Sequence, residues 1–389
     1  MNYFLLPRIN TQIYKYIDYI ESESLPEFVI SNSLANYLCE IKKKIDVIEN
    51  DWNTFKKYTN TYEYINTTVP YRKKSVSIQK PLSRSYYKMI EIIYTFGIYF
   101  DDYSIQSFHL AEGPGGFIEA LLNYRKCPDD KYIGMTLLDN KNDNNIPAWK
   151  QSERFLKSNK NVYIEHGADN TGNILSFDNF VYCAEKYASK MDFITADGGF
   201  DFSTNFNEQE YTVSQLIFAQ ICYALVMQKQ RGTFVLKIFD CFLQSTIDML
   251  YILSSFYEKV YIYKPNTSRT ANSEKYIVCK GFIYYKYTLV YPYLQNIFNK
   301  MVNTKPDASN PSNIFYVSRF LNLEIPSYFL SKLEEYNAII GQKQIENIYD
   351  TISLIDNKHK QEKIDKLINS NIQKCIHWCI KHDIEYNNL

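Results

Sequence analysis

The chain has 389 residues, enough for one large domain with extensions or for two, which excludes a disordered chain and a small disulfide-stapled scaffold. Lys+Arg and Asp+Glu number 43 each, so bulk charge gives no general attraction to nucleic acid and only local patches can supply one. Eight cysteines lack a repeating framework, and neither a signal peptide nor an uninterrupted 18-residue apolar stretch is present, so a soluble, non-secreted protein with no membrane association is expected.

The first 60 or so residues read as mostly helical, with Leu34, Leu38, Ile41, Ile45 and Ile48 on one helical face. From Tyr64 to Ile90 there is no acid, while Arg72, Lys73, Lys74, Lys80, Arg84 and Lys88 are basic. Apolar runs at 105–111, 132–138, 161–165, 191–196, 232–238, 259–264 and 276–285 then predict strands, with helices such as 211–229 and 244–257 between them. Strands alternating with helices imply an α/β fold, a mostly parallel sheet covered on both faces, and such sheets bind ligands beyond the carboxyl ends of their strands. The last 90 residues return to helix, most clearly at Tyr328–Tyr336 and Gln344–Leu354. Cys375, His377, Cys379 and His382 fall within eight residues. A structural zinc site joins two separated ligand pairs, so this segment reads as an amphipathic helix and no metal is expected.

Residues 110–117, Leu-Ala-Glu-Gly-Pro-Gly-Gly-Phe, follow the 105–110 strand and precede the helical Ile118–Leu122. A strand emptying through glycines into a helix start either makes a tight turn or cradles an anionic or zwitterionic group on free N–H groups. The spacing is neither Gly-x-Gly-x-x-Gly nor a P-loop. Three other polar residues sit at strand ends. Asp197 closes the run Met191–Ala196 ahead of Gly198-Gly199. Lys237 lies in the apolar strand Gly232–Ile238, where burial disfavours the ammonium and suits a general base. Glu274 is the single acid among eight Lys/Arg between Lys259 and Lys305.

With Lys88, these residues resemble the Lys-Asp-Lys-Glu tetrad of the FtsJ-type RNA ribose 2′-O-methyltransferases. Ser83-Arg84-x-x-x-Lys88, the 110–117 loop and Thr195-Ala-Asp-Gly-Gly-Phe200 are similar to the family's corresponding motifs. Asn60-Thr-Tyr-Glu-Tyr-Ile65, Gly134-Met-Thr-Leu137 and the long segment Lys264–Phe282 resemble its mRNA cap-specific branch. The resemblance runs in order from about residue 60 to 285, and faintly over 316–355. Thr270 replaces a common proline, and the continuation Leu138-Asp139 departs from the usual one, leaving open whether Asp139 meets the cofactor ribose.

The resemblance implies a Rossmann-like S-adenosylmethionine-dependent methyltransferase fold with a seven-stranded sheet. Residues 1–80 form a helical N-terminal extension, 81–290 the methyltransferase domain and 291–389 a helical C-terminal extension. It implies methyl transfer from S-adenosyl-L-methionine, with S-adenosylhomocysteine as product, to the ribose 2′-hydroxyl of the first transcribed nucleotide of 5′-capped mRNA. Lys237 is the general base, with Lys88, Asp197 and Glu274 completing the tetrad. Gly113, Pro114, Gly115, Gly116, Phe117, Thr136, Leu137, Asp169 and Asp197 are expected at the cofactor. Arg84, Ser268, Arg269, Asn272 and Ser273 are expected at the RNA backbone. Trp52, Phe55, Tyr58 and Tyr62 are aromatic candidates for stacking on a cationic cap guanine. The terminal helices offer surface for a protein partner of the capping or transcription machinery. Two other readings are an rRNA or tRNA ribose methyltransferase and a cap- or RNA-binding accessory subunit of a polymerase. Heavy use of Tyr, Asn and Ile fits an AT-rich genome of a large DNA virus, with the protein in the cytoplasm, a viral factory or the virion, or of a protist, with the protein in the nucleus.

Overall fold

The structure, a computed structural model, describes residues 3–98, 103–138, 148–199, 207–284, 286–303 and 315–389. Asp139, Phe200 and Tyr285 lie outside them. The strands are β1 (Tyr3–Leu5), β2 (Ile17–Ser22), β3 (Gln106–Leu110), β4 (Lys131–Met135), β5 (Val162–Ile164), β6 (Met191–Ala196), β7 (Gln228–Ile238), β8 (Tyr257–Tyr263), β9 (Lys275–Phe282) and β10 (Tyr316–Leu321). The helices are α1 (Asn32–Val47), α2 (Glu49–Thr59), α3 (Ser85–Phe96), α4 (Gly116–Arg125), α5 (Glu153–Ser158), α6 (Phe177–Tyr187), α7 (Gln209–Thr212), α8 (Ser214–Met227), α9 (Gln244–Phe256), α10 (Tyr291–Asn303), α11 (Ser327–Asp356) and α12 (Gln361–Lys381).

Among the described residues, eight strands form one sheet in the order β1-β8-β9-β7-β6-β3-β4-β5. Neighbours from β5 to β7 pair in parallel, while β9 pairs antiparallel with both β7 and β8. Every residue of β6 is buried, as a parallel strand covered on both faces requires. Helices α8 and α9 are buried along nearly their whole length, which explains why apolar residues surround them instead of forming one stripe. The seven expected strands are all present as one sheet of the α/β type.

Several expectations need correcting. The N-terminal segment is not purely helical: β1 extends the sheet by pairing antiparallel with β8, and β2 pairs with β10 in a separate two-stranded sheet. Three residues at an edge are too few to show an alternating pattern. The C-terminal segment likewise includes a strand, and its two expected helical pieces are parts of the continuous α11. Gly341, between those pieces, packs on α1, where a Cβ would come within 2.8 Å of Leu34 Cδ2. Among the described residues no helix is long and apolar enough to cross a membrane.

Candidate active site

The carboxyl ends of β3, β6 and β7 form one edge, from which the glycine loop, Asp197 and Lys237 emerge. Because β9 runs the other way, its first residues arrive at that same edge: Tyr276 pairs with Lys237 and Lys275 with Ile238, which delivers Glu274 beside them. Helix α3 brings Lys88. Its start crosses α4 at Gly116, where a Cβ would overlap the Ser83 and Ser85 hydroxyls, so the glycine's missing side chain permits this approach.

The four sequence-predicted tetrad residues form two ion pairs. Lys88 Nζ lies 2.7 Å from Glu274 Oε1, and Lys237 Nζ lies 3.4 Å from Asp197 Oδ1 while donating to the Asp197 carbonyl at 2.6 Å. Tyr276 stands between the pairs: its hydroxyl donates to Asp197 Oδ1 at 3.0 Å, and Lys88 Nζ lies 6.0 Å from the centre of its ring. Burial alone would raise the Glu274 carboxyl, but the Lys88 and Lys237 ammonium charges outweigh it and hold Glu274 well below the usual carboxylate range.

Several neighbours fix Glu274. Ser268 donates to its Oε1 at 2.9 Å, and buried Lys264 donates to the carbonyls of Asn272 and Glu274 at 2.5 and 2.7 Å. Asp240 accepts from Ser273 at 2.8 Å and pairs with Lys275 at 3.1 Å, gripping the residues on either side of Glu274. Lys42 of α1 pairs with the same Asp240 at 3.0 Å. Glu91, one helical turn beyond Lys88, accepts from Asn266 and Thr267 and ties the loop to α3. Sequence reasoning missed Lys42, Glu91, Asp240, Lys264 and Tyr276; only Asp240, two residues past a strand end that also carries Lys237, offered a local signal.

Lys264 supplies a test of this burial. Desolvation, with Lys275 and Lys88 adding to it against the pull of Glu274, pushes its pKa down to about 7. An unfolded lysine titrates near about 10.4. Between these values the unfolded chain holds a proton that the folded chain has released, so this lysine's contribution to stability rises with pH. The melting temperature of the wild type relative to Lys264→Met is therefore expected to climb between about pH 7 and 10. A pH-independent difference in calorimetry would contradict the assignment.

The residues expected at the cofactor divide into two groups. The loop 113–116 opens α4, whose first-turn N–H groups have no partners within the helix. Ala111 N–H donates to the Met135 carbonyl at 2.7 Å and Leu138 N–H to the Thr171 carbonyl at 2.8 Å, so 136–138 and 169–172 are drawn toward the same edge. Asp169 accepts from Thr171 N–H at 2.9 Å, the Thr171 hydroxyl at 2.7 Å and Asn179 at 2.8 Å, which shapes that turn. Thr136 is buried and Leu137 exposed. The Phe117 side chain is buried in the core against Tyr276, ring centres 5.9 Å apart, behind the site. Unanticipated is Trp149, whose ring would meet a Cβ on Gly115 at 3.3 Å. Below the loop, His109 hydrogen bonds to Ser107 and Thr195 at 2.9 and 2.7 Å, and the Thr195 hydroxyl donates to Glu112. The other Glu112 carboxylate oxygen is buried without a hydrogen-bond partner, 3.4 Å from His109 Nδ1.

The residues expected at RNA also divide. Ser268 and Ser273 are buried and hydrogen bonded to Glu274 and Asp240. Asn272 is exposed. Arg84 and Arg269 remain partly exposed, but both pair with a single buried carboxylate, Glu63. Among the aromatic candidates, Trp52 lines a cavity of about 110 Å³ that adjoins Glu274, together with Ile45, Phe239 and Asn272. Phe55 is buried against Tyr58, ring centres 5.6 Å apart, and Tyr62 is half-buried. Cys375 and Cys379 are buried along α12 and His382 stacks on Trp378 at 4.2 Å, whereas His377 points outward.

Comparison with known proteins agrees with this architecture. The sequence profile described as FtsJ-like methyltransferase matches residues 81–282. The chain is 30% identical over 367 residues to the cap-specific mRNA (nucleoside-2′-O-)-methyltransferase 2 of Pongo abelii, covering 89% of this chain and 45% of that protein. It is 38% identical over 179 residues to the cap-specific mRNA (nucleoside-2′-O-)-methyltransferase 1 of Mus musculus, covering 43% of this chain and 20% of that protein. The chain thus spans less than half the length of these curated relatives.

Proposed function

The chain belongs to the FtsJ-like methyltransferase family, and from that premise we propose that it methylates the ribose 2′-hydroxyl of a cap-proximal nucleotide of mRNA, the first transcribed nucleotide being the expected target. The observation that carries this reading is the convergence of Lys88, Asp197, Lys237 and Glu274 beside the glycine loop at one sheet edge. The names of the relatives support the capped substrate.

The residues present fit S-adenosyl-L-methionine as the donor. A zwitterionic amino-acid moiety suits the N-terminus of α4 for its carboxylate, and the buried oxygen of Glu112 that lacks a hydrogen bond is an acceptor below the same loop. Gly113 to Gly116, Thr136, Leu137 and Asp169 would hold this group, which supplies an electrophilic methyl carbon on a sulfonium.

A ribose hydroxyl is a poor acid, so the protein's work is to position it and accept its proton. Lys237 Nζ, in its neutral form, takes that proton. Asp197 holds Lys237 through its carbonyl and carboxylate, and Tyr276 holds Asp197. The Lys88–Glu274 pair stands opposite, its charges balanced within the site.

The test uses labelled S-adenosylmethionine and short RNAs differing only in the 5′ end: triphosphate, unmethylated cap or N7-methylated cap. Label is expected on the 2′-oxygen of the first nucleotide of capped RNA. Equal labelling of uncapped RNA would defeat the cap-dependent reading, and label confined to the second nucleotide would move the target by one.

A further inference from the structure

We propose that the groove along the carboxyl-terminal half of α12 docks a partner protein, which lays into it an extended acidic peptide segment with an apolar residue between its acids. None of the groove's lining residues belongs to the cluster of Lys88, Asp197, Lys237 and Glu274, and the inference does not rest on the reaction proposed there.

Between Asp365 and Asp383 the chain has no acid, while Lys374 and Lys381 stand on the exposed face of α12 with His377 and Ile380 between them. These four residues, with Trp378 and His382, help to line a groove of about 500 Å³ whose lining includes no Asp or Glu among the described residues. Ile380 is 58% exposed, so the groove offers an apolar contact within a positive rim. It also holds an unmatched donor and an unmatched acceptor. Trp378 and His382 are 4% and 2% exposed, their rings stacked 4.2 Å apart. His382 Nδ1 lies 2.7 Å from the Trp378 carbonyl, which can only accept, so Nδ1 carries the proton and Nε2 the lone pair. Burial lowers the His382 pKa against the pull of that carbonyl and keeps the ring neutral. The Trp378 Nε1–H and the His382 Nε2 are both buried without a hydrogen-bond partner. A buried tryptophan N–H ordinarily finds one, because an orphaned donor is costly.

One stretch of peptide backbone supplies both missing partners, a carbonyl to the indole N–H and an N–H to the imidazole Nε2. A phosphodiester offers acceptors only and would leave Nε2 unpaired, so a peptide fits this floor better than nucleic acid does. The ring nitrogens are shielded from solvent, and the exposed side chains of Lys374, His377, Ile380 and Lys381 can change rotamer as a segment enters. Lys374 and Lys381 are two helical turns apart, about 10 Å, the span of about three residues of extended chain. Acids at about that spacing meet both lysines, and an apolar residue between them meets Ile380. The groove also backs onto α3: Trp378 edges against Tyr87, next to Lys88, with ring centres 5.9 Å apart, and His382 against Tyr94 at 5.4 Å. A docked partner therefore bears on the helix that carries Lys88.

The test starts from a phage library of short random peptides, selected on the full chain and counter-selected on Lys374→Glu with Lys381→Glu, two exposed changes that leave the core intact. Peptides with acids about two to four residues apart around an apolar residue are expected to be enriched. In fluorescence anisotropy the strongest of them should bind the charge-reversed variant at least about tenfold more weakly than wild type. Replacing each of its amides in turn by an ester, which has no N–H, should weaken binding roughly three- to tenfold at one position. In NMR spectra of the full chain, the indole N–H resonance of Trp378, assigned with Trp378→Phe, should shift on adding that peptide by more than those of Trp52 and Trp149. No enrichment, enrichment of peptides without acids, or equal binding to the charge-reversed variant would overturn the docking site. An ester series without a sensitive position, or an unmoved Trp378 resonance, would overturn the backbone contact at the groove floor. Displacement of the peptide by an equimolar oligouridylate would assign the groove to nucleic acid and overturn the protein partner.

Discussion

Lys237→Ala is expected to lower kcat by roughly 10²- to 10⁴-fold, the usual worth of a positioned general base, while binding of S-adenosylhomocysteine changes little. The lysine is 13% exposed at the end of an apolar strand, with its nitrogen 3.4 Å from Asp197 Oδ1. Gly199 keeps the space next to it open: a Cβ there would lie 3.3 Å from Nζ. The informative companion is Lys237→Arg. Arginine keeps the positive charge and the ion pair with Asp197, but its guanidinium does not give up a proton in a protein. If Lys237 acts by accepting the hydroxyl proton, Lys237→Arg will be as inactive as Lys237→Ala. If it acts only as a fixed cation, Lys237→Arg will keep more than about a tenth of the activity, and the base assignment falls. Single-turnover rates, with donor binding followed by calorimetry, separate the two.

The parts of this site that were legible in the sequence are those in which one local pattern delivers one polar residue. The run Met191–Ala196 is buried along its whole length because both faces of β6 are covered, so Asp197 stands out at its end. Gly113–Gly116 and Lys237 stand out in a similar way, each following or closing a strand whose carboxyl half is buried. The antiparallel entry of β9 is what brings Glu274 to the same edge, and hydrophobic patterning does not encode strand direction. The supporting residues were hidden for a different reason. Glu63, Glu91 and Lys42 sit in ordinary helical or turn sequence and look like surface charges until chain segments more than 170 residues away pack on them. Ser268 and Ser273 show the opposite case: a polar loop rich in hydroxyls reads as exposed, yet these two are buried and hydrogen bond to Glu274 and Asp240. Polarity in a loop shows that a hydrogen bond will be made; its partner, RNA or protein, depends on the fold.

The largest loss of stability is expected from Asp240→Asn. Asp240 is buried between Lys42 at 3.0 Å and Lys275 at 3.1 Å, both lysines themselves buried, with Ser273 donating at 2.8 Å. Removing the carboxylate's charge leaves two ammonium groups in the interior, and breaking a buried pair from one side costs about 3–5 kcal/mol. For a chain of 389 residues that is a fall in melting temperature of roughly 4–6 °C. Lys42→Met in the Asp240→Asn background removes one stranded charge and should recover part of the loss, whereas in the wild type the same change should destabilise. This reversal is what a double-mutant cycle reads, and two losses that simply add would show that the pair does not act as a unit. The same carboxylate sets a pH dependence. Burial would raise its pKa, but the two lysines depress it well below the usual range. A carboxylate depressed on folding contributes stability above its unfolded pKa of about 3.9 and loses it as the pH falls below that value. Wild type should therefore lose stability on acidification below about pH 4 more steeply than Asp240→Asn. Because Ser273 and Lys275 flank Glu274, the variant's kcat should also fall at temperatures where it is fully folded. A folded variant with unaltered kcat would mean that Glu274 is held by Lys88 and Ser268 alone.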